Sequence, residues 1–171
     1  MRLFSALWPS EQAVAHLEQA LEQALREVEL PAGVRRVPPS KWHLTLGFYG
    51  DDVSVPERAG HLDDRLAGLA APTLRLAGSG TFAGVLWVGV QPVAAADRAA
   101  LRALASAAGA GRKFRPHVTV ARWRLGQPGG WMAEQFAAYR GPTWTARQVN
   151  LMRSVPGVDY ECVHSVPLIT W

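Results

Sequence analysis

Cysteine is almost absent from this 171-residue chain. Cys162 is the single one, so no internal disulfide can form; a reducing compartment and a buried, inert thiol are expected. Lysine is nearly as scarce. Lys41 and Lys113 stand against sixteen arginines, so guanidinium groups carry most of the positive charge behind the net +4. No apolar run approaches the roughly 20 residues that cross a bilayer, and the opening residues are too quickly interrupted for a signal peptide. A cytoplasmic monomer with no membrane partner is expected. Carboxylates and cysteines at metal-ligand spacing are also missing around the histidines discussed below, which argues against a zinc site needing three or four ligands.

What remains is one ordinary domain: 49% apolar and 19% charged residues suit a buried core. The basic balance, with an isoelectric point near 9.8, favours anionic partners such as RNA or nucleotides. Within it one phrase occurs twice, His43-Leu44-Thr45-Leu46 and His117-Val118-Thr119-Val120. With seven threonines in the chain, composition would start such a phrase at a given histidine roughly once in a hundred. In an extended strand the histidine and threonine share one face and the two apolar residues the other. Two such strands about a local two-fold bring two imidazoles and two hydroxyls to one groove. Imidazole titrates near neutrality, so the pair supplies an acid and a base, and the hydroxyls can donate to an anionic oxygen between them. A phosphodiester fits such a groove. Arg112, Lys113 and Arg115 precede the second phrase, and Arg122 and Arg124 follow it, a flank suited to phosphate.

Periodicity predicts strands at 2–8, 42–49, 73–82, 85–90, 117–125, 143–152 and 160–169. It predicts helices at 10–28, 56–70, 94–108 and 131–139, with loops at 31–40 and 126–130. Each half holds strands, helices and one phrase, which suggests a duplicated α+β unit.

At these residues the chain resembles the 2H phosphoesterase superfamily, and within it the RNA 2′,3′-cyclic phosphodiesterases, also called 2′-5′ RNA ligases. The likeness runs through Arg2–Leu7, Val37-Pro38-Pro39, His43–Gly50, Gly80-Thr81-Phe82, Leu86–Val90 and Phe114–Arg122. It implies an α+β fold of two pseudo-symmetric lobes of antiparallel sheet, helices outside and the active groove between them. It also implies hydrolysis of an RNA 2′,3′-cyclic phosphate end, or of a cyclic nucleotide, to a 2′-phosphate, with neither metal nor cofactor. By that resemblance His117 is the base, His43 the acid, and Thr45 and Thr119 hold phosphate oxygens. Gly47 departs from relatives, which often carry a longer or basic side chain there. Arg122 is expected to bind substrate because its fork matches a phosphate, although strand parity puts it opposite His117 unless a bulge intervenes. Phe82 and Trp123 are candidates to touch a nucleobase, whereas Trp42, Trp87 and Trp144 read as core; Tyr160 is a further ligand candidate. His16 and His61 are expected at the surface and His164 in a structural role. Two other functions remain open: a phosphodiesterase for small cyclic nucleotides, and an RNA-binding module without catalysis.

Overall fold

The computed structural model describes residues 2–26, 28–51, 53–124, 126 and 130–170. Its strands are β1 (Arg2–Leu7), β2 (Arg35–Arg36), β3 (Leu44–Gly50), β4 (Thr73–Phe82), β5 (Val85–Pro92), β6 (His117–Arg122), β7 (Arg140–Thr145), β8 (Gln148–Ser154) and β9 (Glu161–Pro167). The helices are α1 (Glu11–Leu25), α2 (Val55–Leu66), α3 (Ala95–Ala107) and the short α4 (Trp131–Glu134). The strands form one antiparallel sheet in the order β7-β4-β5-β6-β3-β1-β8-β9, with β2 added to β6. The architecture is α+β, a curled antiparallel sheet backed by helices. Its two halves meet where β6 and β3 share the single pair Leu44↔Val118. Strand, helix and motif strand recur along the chain as β1-α1-β3 and as β5-α3-β6, with α1 crossing to pack on the half that holds β4 and β7.

Local chemistry explains the elements. Ser10 caps α1 by accepting from the Ala13 N–H at 3.1 Å, and Ala13, Leu17 and Leu21 form its buried stripe. That stripe packs on β4 and β7. The apolar residues of both phrases, Leu44, Leu46, Val118 and Val120, are buried in the main core, as alternation requires. β1 is buried on both faces. Leu3 and Leu7 join the main core, while Phe4 and Ala6 form a second cluster with Met152, Trp8 and Tyr160 on the groove side.

Several expectations are corrected. The 31–40 loop carries β2 and a one-turn 3₁₀ helix at Pro39–Lys41. The stretch 143–152 divides into β7 and β8, which belong to different halves; buried Ala146 between them donates its N–H to Pro72 O. The helix expected to reach Tyr139 stops at Glu134, after one turn. Cys162 is exposed, because β9 is an edge strand of which only Val166 is buried. Trp87 is half-buried on the groove face, unlike Trp42 and Trp144, which are core. Leu125, Gln127, Pro128 and Gly129, expected in the second motif strand and the loop after it, lie outside the described residues, as do Glu27 and Asp52. No helix of the described residues is long and apolar enough to cross a membrane.

Candidate active site

Each motif histidine is fixed by the same local bond. His43 Nδ1 lies 2.7 Å from Lys41 O, and His117 Nδ1 lies 2.6 Å from Arg115 O. A carbonyl only accepts, so both imidazoles carry their proton on Nδ1 when neutral and keep Nε2 for chemistry. Aromatic rings hold the other sides. His43 packs among Phe4, Trp8 and Tyr160 at centroid distances of 4.9, 5.2 and 5.4 Å. His117 stands edge-on to Phe82 at 5.1 Å, with Trp87 at 6.3 Å.

Both histidines and both threonines line one cavity of about 520 Å³, together with Arg35, Arg36, Val37, Pro38, Lys41, Arg122 and Tyr160. The antiparallel pair Leu44↔Val118 explains the convergence, because it sets each histidine towards the threonine of the other strand. Among the described residues four cations and no carboxylate line the cavity. Its field therefore selects anions. Burial pushes the His43 pKa below the ordinary 6.5; the bond to Lys41 O opposes that, and the charges of Arg122 and His117 add to it. Among the described residues no group of three or more His, Cys, Asp or Glu is placed to hold a metal ion.

Arg122 reaches the cavity through a bulge. Leu86 pairs with Ala121 but Trp87 pairs with Thr119, leaving Val120 as an extra residue in β6. Val120 and Ala121 are both buried, and the face of His117 and Thr119 resumes at Arg122. β3 does the same. Ser5 pairs with Gly47 and Ala6 with Thr45, so Leu46 is the extra residue and the groove face resumes at Phe48.

A family model described as the 2′-5′ RNA ligase superfamily matches residues 9–157. The chain belongs to that superfamily. Solved structures agree in fold. TT0787 of Thermus thermophilus is 23% identical, with 98% of each chain covered and a TM-score of 0.70. E. coli LigT complexed with ATP is 24% identical over 99% of this chain and 98% of that one, with a TM-score of 0.66. A structure described as a phosphoesterase is 25% identical over 99% of both chains, with a TM-score of 0.63. E. coli LigT has also been crystallised with NADP+, with phosphate and with 3′-AMP. No curated protein sequence matches.

Seen as a member of this superfamily, the chain brings His43, Thr45, His117, Thr119 and Arg122 into one cavity. Phe82 lies against His117 rather than in the cavity lining, and Trp123 lines a neighbouring hollow. Tyr160 lines the cavity and carries Lys41 Nζ 5.3 Å from its ring centre. His16 and His61 are exposed, and His164 pairs with Asp63 at 2.7 Å. Sequence reasoning missed Arg35 and Arg36 altogether. Their signal was a doublet of cations just before a Val-Pro-Pro turn, and its meaning depends on β2 pairing with β6.

Gly47 faces away from the cavity. A Cβ there would run into Ala108 O and the Tyr49 ring. The close approach of β3 to the end of α3 therefore leaves no room for a side chain at this position.

Proposed function

We propose that this protein is an RNA 2′,3′-cyclic phosphodiesterase working by two-histidine acid/base catalysis. One observation carries the reading: two imidazoles, each pinned through Nδ1, share a cation-lined cavity with two threonine hydroxyls. The presence of phosphate and 3′-AMP in complexes of E. coli LigT supports an anionic nucleotide as guest.

In the proposed reaction His117 Nε2 takes a proton from water as the water oxygen bonds to phosphorus. The bond from phosphorus to the 3′ oxygen breaks, and His43 Nε2 gives that oxygen its proton. The products are a 2′-phosphate and a 3′ hydroxyl. Thr45, Thr119 and Arg122 hold the non-bridging oxygens, where charge grows in the transition state. Phe82, beside His117, is the aromatic surface proposed for the terminal base. A 5′ hydroxyl in place of water would give a 2′-5′ linkage by the same proton transfers.

The weak hold of His43 on its proton suits an acid facing an alkoxide, and the bound anion restores the charge that burial disfavours. The test is hydrolysis of a 2′,3′-cyclic mononucleotide in excess EDTA, with phosphorus NMR on the product. A 2′-phosphate is expected, and His43→Ala and His117→Ala should each lower kcat by about 10² to 10⁴. A parent protein that turns over neither this nucleotide nor an RNA end, yet binds RNA, would establish the silent binding module instead.

A further inference from the structure

The catalytic cavity has a neighbour. Beside β2 a hollow of about 490 Å³ is lined by Ala32, Gly33, Arg35, Trp123 and Arg124, so Arg35 borders both spaces. Arg35 also sits directly opposite Arg122 in the β2–β6 pair. Like charges facing each other across antiparallel strands oppose the pairing, and among the described residues no carboxylate lines either space. The three ion pairs among the described residues lie elsewhere, at Arg2–Asp51, Arg153–Glu161 and His164–Asp63. An anion near Arg35 would relieve that repulsion. Trp123 adds a second kind of surface. Its backbone N–H is held by Gly84 O at 2.9 Å and its side chain packs partly on the core, so the indole is a fixed platform rather than a loose loop residue. Exposed Arg124 follows it directly.

We propose that this hollow is a subsite for the nucleotide one step 5′ of the reacting end, with its phosphate at Arg35 and Arg124 and its base on Trp123. The substrate is then an RNA chain in preference to a mononucleotide. A cationic track with an aromatic platform is the general means of holding single strands without reading their sequence. The proposal rests on the phosphodiesterase reading, which supplies the reacting end.

The test compares a 2′,3′-cyclic mononucleotide with a dinucleotide ending in the same cyclic phosphate, at several potassium chloride concentrations. The parent should favour the dinucleotide in kcat/KM by about tenfold, with a steeper fall in salt because one more phosphate is neutralised. Trp123→Ala should cut that preference about tenfold, and Arg124→Gln about fivefold with a flatter salt slope. Arg124 is exposed, so its variant keeps the test valid if Trp123→Ala fails to fold. A parent preference near one, or a preference kept in both variants, overturns the subsite. If the parent hydrolyses neither compound, the phosphodiesterase reading fails on its own. The subsite is then read from the ratio of Kd values for the mononucleotide and dinucleotide 2′-phosphates, for which the same preferences and losses are expected.

Discussion

His43 is the residue whose environment makes the sharpest statement about chemistry. Its pKa lies below 6.5 mainly through burial, so in the free protein it is charged only below that point. In the proposed role of acid it must be charged. The bell-shaped profile of kcat/KM, which reports the free enzyme, should therefore carry one limb with its midpoint below 6.5, and the same limb in kcat should lie higher because bound phosphate favours the imidazolium. A profile with no midpoint below 6.5 would show that His43 is not one of the two titrating groups, since the limbs belong to the pair. The same shift bears on stability. The folded state binds this proton less readily than the unfolded chain, so stability contributed at neutral pH is lost as pH falls from 6.5 through the lower, folded value. A second residue carries a structural prediction. Ser5, wholly buried, accepts from the Gly47 N–H at 3.1 Å and lies 2.8 Å from Tyr49 Oη, which donates to Ala108 O at 2.7 Å. With the phenol proton committed to the carbonyl, Ser5 donates to Tyr49. Ser5→Ala strands the Gly47 N–H, and a loss of about 1–3 kcal/mol in denaturant unfolding is expected.

At the scale of the element, the two bulges decide which side chains meet. Alternation alone was enough to put His43 with Thr45 and His117 with Thr119, because both pairs precede the bulge. It failed at Arg122, for the extra residue is defined by hydrogen bonding to β5. A trace of it stood in the sequence as consecutive apolar pairs, Leu46-Gly47 and Val120-Ala121, where a polar residue was due. The β2 strand was less legible still. Two arginines bear no periodicity, and their assignment to β6 comes wholly from the tertiary fold. Glycines show how tightly these elements close: a Cβ on Gly80 would strike the Trp87 ring that lies across it. Gly80→Ala should push that indole against its neighbours at His117 and lower kcat with little change in KM. Unaltered kinetics would show that Trp87 is not needed to hold the imidazole.

For the whole molecule, the repeated phrase made the two-part plan readable, whereas the strand order was not. β1 pairs with β8 and β3, so one half draws on both ends of the sequence, and no local pattern encodes such distant partners. The two halves share one backbone pair, at the place where four cations converge. An anion bound there should bind the folded state alone, stabilising it by RT ln(1 + [L]/Kd), about 2.7 kcal/mol at a hundredfold excess over Kd. Inorganic phosphate should thus raise Tm beyond chloride at equal ionic strength, and Arg122→Ala should reduce the gain.

The strand order also imposes a timetable on synthesis. The strands β4 to β7, all within residues 73–145, complete their half as soon as they leave the ribosome, over an α1 already made. The outer edge of β1 must wait for β8, and the aromatic box around His43 waits for Tyr160. A nascent chain thus presents His117 on β6 before the aromatic box around His43 can close, and the cavity lining is complete only once Tyr160 has been added.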